Sequence, residues 1–173
     1  MEFRDGDLVL RPWVEDDVDA MVAGCNDPDV AWWIPTIPHP YRPDHDAMAI
    51  EVGGQVVGGI GMGVNAHDYT SPRMNPSASS AVYRARVGYW VAARARGRGT
   101  CTRALRLLAR HGLEELRLQR VDLITDPDNA ASQRVAEKVG FQREGVLRAH
   151  LRHPDGRIRD SVMFSLLPGE LRE

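Results

Sequence analysis

The stretch Arg94-Ala-Arg-Gly97-Arg-Gly99-Thr100 joins a strand-like pattern to a helix-like one, and few folds accommodate that junction. Before it runs Val82-Tyr-Arg-Ala-Arg-Val-Gly-Tyr-Trp-Val91, rich in β-branched and aromatic residues. After it, Leu105, Leu108, Gly112 and Leu116 recur on one helical face. A strand–glycine loop–helix connection lets backbone N–H groups converge on an anion. Gly97 and Gly99 remove side chains from the approach, and the helix N-terminus adds positive potential. Three arginines in the loop suit phosphate. The pattern matches neither common nucleotide fingerprint: G-x-x-x-x-G-K-[ST] is absent, and G-x-G-x-x-G fails at Thr102. Taken alone, the loop is equally a tight turn leading into a helix.

A second segment follows at Asp126-Pro-Asp-Asn129-Ala-Ala-Ser132-Gln-Arg-Val135-Ala136-Glu-Lys138-Val139-Gly140-Phe141. Val121–Thr125 reads as a buried strand stopped by Asp126-Pro127. Asn129 or Asp128 then caps a helix whose apolar face is Val135, Ala136 and Val139. Gly140 ends it in the left-handed position and Phe141 packs back.

Together, R-x-x-G-x-G, a strand, and N-x-x-S-x-x-V-A-E-K-x-G-F resemble the GNAT acetyltransferase superfamily, nearest its RimJ/RimL-type branch. Leu8-Val-Leu-Arg11-Pro-Trp13, Glu15-Asp-Asp-Val18, Val87-Gly88-Tyr89-Trp90-Val91 and Gly156-Arg-Ile-Arg-Asp160-Ser-Val-Met-Phe164-Ser-Leu166 extend the likeness in order along nearly the whole chain. The resemblance implies an α/β fold: a mixed, mostly antiparallel sheet with helices on both faces and splayed central strands.

The 173 residues suffice for one domain with a proper core. Hydrophobic content of 43% and charged content of 27% are ordinary for a globular chain, and no apolar run approaches a membrane span. Glu2, Asp5 and Asp7 stand where a signal segment would be basic and apolar, so the expected location is cytoplasmic. Cys25 and Cys101 make neither a disulfide framework nor a metal set, and the six histidines show no ligand spacing. A formal charge of −2 argues against nonspecific nucleic-acid binding. Lys138 is the only lysine, so arginine usage is general and each arginine need not be functional.

Along the chain, residues 7–13 alternate as a first strand, and residues 15–25 suit a helix with Val18, Met21 and Val22 inward. Asn26-Asp-Pro28 breaks it. Residues 29–45, with Trp32, Trp33 and Tyr41, form an aromatic, proline-stiffened arm that is either a lid over the core or, as the family implies, a wall of the acceptor cleft. This approach is short for the branch. Ala47–Val52 and Gln55–Val64 read as a hairpin around Gly53-Gly54, and residues 65–80 as a long loop. Strands follow at 81–91, 121–125, about 142–151 and 158–166, and helices at about 99–116 and 129–139, giving six or seven strands.

The resemblance implies acetyl-CoA as co-substrate, no metal, and a primary amine as acceptor: a protein N-terminus or a small molecule. Partners are then the cofactor and the amine, with neither nucleic acid nor membrane, and a homodimer left open. Arg96, Gly97, Arg98, Gly99 and Thr100 would hold the pyrophosphate, with Lys138 reaching a phosphate or instead pairing with a nearby acid. Trp90 and Val91 would pair with the pantetheine amides as an added strand. A Val91 N–H would meet the oxyanion of the thioester carbonyl. Asn129 would bond the cofactor arm or acceptor. Ser132 is the implied general acid; read by itself it is an ordinary first-turn serine. Relatives often carry Glu just before the Gly-Tyr-Trp, whereas this chain has Arg86. The base is therefore open between a water chain, His150 and Tyr83. A weak base suits an α-amine, whose pKa is about 7.7–8.0, better than a lysine at about 10.4. The rival reading is an acyl-CoA sensor with little turnover.

Overall fold

A computed structural model describes residues 1–34, 47–64 and 83–173. Eight strands form one sheet: β1 (Phe3–Asp5), β2 (Leu8–Pro12), β3 (Ala47–Val52), β4 (Gln55–Val64), β5 (Arg84–Val91), β6 (Arg120–Thr125), β7 (Gln142–Arg152) and β8 (Ile158–Leu166). Their spatial order is β1-β2-β3-β4-β5-β6-β8-β7, antiparallel throughout except for the parallel pair β5–β6. The helices are α1 (Val18–Cys25), α2 (Pro28–Trp33), α3 (Thr100–Arg110) and α4 (Ala130–Val139). The mixed, mostly antiparallel architecture agrees with the expectation, with eight strands instead of six or seven. The additional strand is β1, a three-residue segment that turns through Gly6 at φ +58° to pair Phe3 with Leu10.

Strand alternation divides the molecule. Ala85 and Val87 of β5 are buried in the main core with Leu105 and Leu108 of α3, Leu123 of β6, Val139 of α4 and Phe164 of β8, and Tyr89 and Val91 pack against it. The intervening residues face the opposite side, where Trp90 lies against Gly24 of α1 and stacks on Trp13 at 6.4 Å. Helices therefore cover both faces.

Two expectations require correction. Val18 and Val22 are 40% and 38% exposed, whereas Met21, Gly24 and Cys25 are buried. The Asn26–Pro28 break is two residues long, Asn26 and Asp27: Pro28 opens α2, and Asp27 caps it by accepting from the Asp29 and Val30 amides at 2.9 and 3.3 Å. Residues 28–33 are thus helical instead of a loop. The rest of the 29–45 arm beyond Ile34, with Tyr41, and the loop expected at 65–80 lie outside the described residues. The helix expected at 99–116 is α3 continued by a π turn over His111–Glu115.

Candidate functional site

Parallel pairing of β5 with β6 runs only from Arg84–Arg120 to Val87–Leu123. Beyond it the two strands part, while β5 stays paired to β4 as far as Val91–Gly58. The splay is thus an observed break in the ladder. It opens a cleft of about 730 Å³, lined by Arg86–Val91, by the loop before α3, by the first turns of α3 and α4, and by Trp33, Ile34, His150 and Arg159. Ala92 donates its N–H to Val57 of β4 at 2.8 Å. By strand alternation the Val91 N–H then points away from β4, toward the opening.

Around that edge the glycine loop takes the conformation its residues permit. Gly97 and Gly99 sit at φ +73° and +79°, and Gly99 is the N-cap of α3. A Cβ at either would meet no heavy atom within 4 Å. Gly97, Gly99 and Thr100 line the cleft; Arg98 is exposed and does not. Arg96 is heavily engaged: its guanidinium pairs with Asp29 at 2.6 Å and Asp27 at 3.1 Å, and its Nε donates to the Val91 carbonyl at 3.2 Å. The loop is thereby tied to α2 and to the end of β5.

Across the opening, Asn129 Oδ1 accepts from the Ser132 amide at 3.0 Å. This cap occupies the Asn129 oxygen and leaves its amide nitrogen as the donor for a ligand. Ser132 Oγ lies 3.0 Å from the Tyr89 hydroxyl. Burial pushes the Tyr89 phenol well above its ordinary pKa, and burial likewise pushes the nearby Cys101 thiol up to about 12. The turn before α4 is anchored beneath the cleft. Asp126 accepts from Arg159 at 2.6 Å and from the Asp128 amide at 2.7 Å, and lies 3.2 Å from His153 Nε2.

The far side of the opening belongs to the face carrying α2. His150 Nδ1 lies 3.0 Å from Ser161 Oγ. Burial first, then the Arg86 and Arg159 guanidiniums, lower the His150 pKa below its ordinary value. Trp33 and Ile34 line this end, whereas Trp32 stacks on His153 at 4.3 Å. Tyr83 is 41% exposed at the foot of β5 and does not line the cleft. Of the residues singled out by sequence, the cleft gathers Arg86, Trp90, Val91, Arg96, Gly97, Gly99, Thr100, Asn129, Ser132, Lys138 and Trp33, leaving out Trp32 and Arg98. The cleft also takes in Tyr89, Cys101, Arg134 and Arg159, which sequence alone does not single out. Tyr89 sat in view within the Gly-Tyr-Trp, but only the fold brings it to a serine far along the chain. Among the described residues no group of His, Cys, Asp or Glu could hold a metal ion, and no helix is long and apolar enough to cross a membrane.

The sheet thus parts between its two parallel strands, and the glycine loop lines the opening. Residues 7–142 match the family profile described as the acetyltransferase (GNAT) domain, and the chain belongs to that family. It is similar to YdaF of Bacillus subtilis, whose name assigns it provisionally to ribosomal N-acetyltransferases: 39% identity over 87 residues, 50% of this chain and 47% of YdaF. It is also similar to the uncharacterized N-acetyltransferase p20 of Bacillus licheniformis, at 34% identity over 87 residues, 50% of this chain and 48% of p20. The chain spans about half the length of these curated relatives. In fold it is similar to Mycobacterium smegmatis RimJ, solved in complex with CoA-disulfide, with a TM-score of 0.73 and 24% identity over 100% of this chain and 88% of that one.

Proposed function

We propose that this chain transfers an acetyl group from acetyl-CoA directly to a primary amine. The observation that carries the reading is the β5 edge beyond Val87. It is unpaired on the β6 side, and it faces a cleft bounded by the glycine loop on one flank and Ser132 on the other. That edge suits an extended, amide-bearing pantetheine arm, and the loop and helix N-terminus suit the pyrophosphate. Gly97, Gly99 and Thr100 supply backbone donors there, with Lys138 as an exposed cation on the cleft lining. Arg96 serves chiefly as a brace in this arrangement, because two carboxylates already hold it.

Transfer forms a C–N bond and breaks the C–S bond, the electron pair leaving on sulfur. The Val91 N–H meets the negative charge developing on the carbonyl oxygen; a donor of this kind is worth about 3–4 kcal/mol. Ser132 supplies hydrogen to the departing sulfur and regains it through solvent. The proton lost by the amine passes to His150, whose Nε2 is left open when Nδ1 donates to Ser161. A neutral imidazole cannot strip a lysine-like ammonium efficiently, which favours an α-amine. The name of YdaF supports a protein N-terminus, and a small amine is the other candidate. The location that fits both is the cytoplasm.

The test is a thiol-release assay with acetyl-CoA over N-terminal peptides, amino acids, amino sugars and polyamines, with mass spectrometry locating the acetylated nitrogen. Turnover with an α-amine is the expected result. Tight acetyl-CoA binding without turnover on any amine would overturn transfer in favour of an acyl-CoA sensor.

A further inference from the structure

The Tyr89 hydroxyl has two partners on α4: Ser132 Oγ at 3.0 Å and, more distantly, the Ser132 carbonyl at 3.4 Å. Tyr89 is on β5, two residues before the Val91 amide, and Ser132 is in the first turn of α4. Both residues line the cleft, so this contact ties the strand that offers the N–H to the helix that offers the hydroxyl. A hydroxyl pair can be polarised in two ways. If Ser132 donates to Tyr89, its hydrogen is engaged by the phenol and is not free for a ligand. If Tyr89 donates to Ser132, the serine hydrogen remains for a ligand.

We propose that Tyr89 is a positioning residue that donates its hydrogen bond to Ser132 Oγ and so aims the serine O–H at the thioester sulfur. A phenol is the stronger donor of the two, which sets the direction of the pair. The 3.0 Å contact is also the shorter of its two options. The same bond stabilises charge on Oγ as the serine hydrogen moves toward sulfur, so the contribution grows as the C–S bond breaks. No proton leaves Tyr89 in this scheme. Burial holds the phenol protonated, and the donor persists across the working pH range. The ring packs against the main core, which fixes the hydroxyl in place without a further polar partner among the described residues.

The inference rests on Ser132 acting toward sulfur, and a double-mutant cycle separates the two claims. Tyr89→Phe keeps the ring and removes the hydroxyl. It should lower kcat about 5- to 30-fold, with chemistry rate-limiting, and leave the acetyl-CoA Kd within about twofold. In a Ser132→Ala background the same change should cost nothing more, because the residue it acts through is gone. An unchanged or increased kcat in Tyr89→Phe overturns the proposal and assigns the opposite polarity to the pair. A loss that persists in full on Ser132→Ala also overturns it, since Tyr89 would then act on its own. If Ser132→Ala leaves kcat intact, the reading of Ser132 falls and this inference falls with it. Site-specific fluorotyrosine at position 89 guards against a packing artefact. It keeps a hydroxyl but lowers its pKa, and should bring an alkaline fall in kcat to lower pH, a shift that a purely structural role would not produce.

Discussion

At residue scale, the glycine loop separates two costs that usually travel together. Gly99 occupies φ +79° and a Cβ there would touch nothing. A side chain at this position is opposed by backbone strain of about 1–2 kcal/mol, not by a clash with the protein. Gly99→Val should therefore leave a folded protein with a modestly lowered melting temperature. Its branched side chain would stand in the space assigned to phosphate, so acetyl-CoA affinity should fall tenfold or more by calorimetry. Unchanged affinity in the folded variant would remove the loop from the cofactor site. Ser132 makes the complementary case. Ser132→Ala should lower kcat far more than it alters acetyl-CoA affinity, since the hydroxyl matters as charge develops on sulfur. Acid–base assistance is typically worth about 10²–10⁴-fold, and a fall smaller than about threefold would reduce Ser132 to a helix residue.

At the scale of elements, what sequence revealed depended on whether the signal was local. The β3–β4 hairpin was legible residue for residue because Gly53 and Gly54 both take positive φ, as a two-residue hairpin turn demands. The α4 segment is nearly as legible: sequence leaves the cap between Asp128 and Asn129, the fold puts it at Asn129, and the helix ends as expected at Gly140, at φ +112°. Sequence conceals α2 because Pro28 reads as a breaker, although Asp-Pro-Asp is also a helix start. The α1 face, of which only Met21 lies inward as expected, is obscured for another reason. Its inward stripe is Met21, Gly24 and Cys25, and Gly24 carries no side chain to announce burial; it is bare because Trp90 lies where its Cβ would be. The Tyr89–Ser132 and Arg96–Asp29 contacts depend on tertiary proximity, and no local pattern encodes them. The end of α4 gives a sharp test. A Cβ on Gly140 would approach the Glu170 carbonyl oxygen to 2.2 Å, at a φ that disfavours side chains, where Arg172 also donates to the Val139 carbonyl at 2.9 Å. Gly140→Ala should cost more than about 2 kcal/mol in urea unfolding, well beyond Gly99→Val. Comparable stabilities would show that the C-terminal tail yields freely and does not brace α4.

At the scale of the whole molecule, the cleft runs through the sheet and joins two electrostatic settings. The cofactor flank has the loop amides and Lys138, and the acceptor flank has His150 between Arg86 and Arg159. That setting fixes the sign of the pH response. Burial and the two guanidiniums disfavour the imidazolium, so His150 stays neutral at pH 7 and protonates only below its ordinary pKa of 6.5. The kcat/KM profile should have two limbs: an acid limb below pH 6.5 common to all acceptors, and a higher one that moves with the basicity of each amine. Melting curves at each pH must accompany it, because a histidine with a lowered folded-state pKa also withdraws stability as pH falls through that range. His150→Asn should abolish the common limb and leave the acceptor-dependent one. Arg86→Glu gives the decisive direction. Replacing a cation by an anion beside the imidazole favours its protonated form, so the common limb should move to higher pH. The added carboxylate should meanwhile help a lysine-like amine more than an α-amine, because more of the former begins protonated. A common limb that ignores Arg86→Glu, or that survives His150→Asn, would assign the proton to another group.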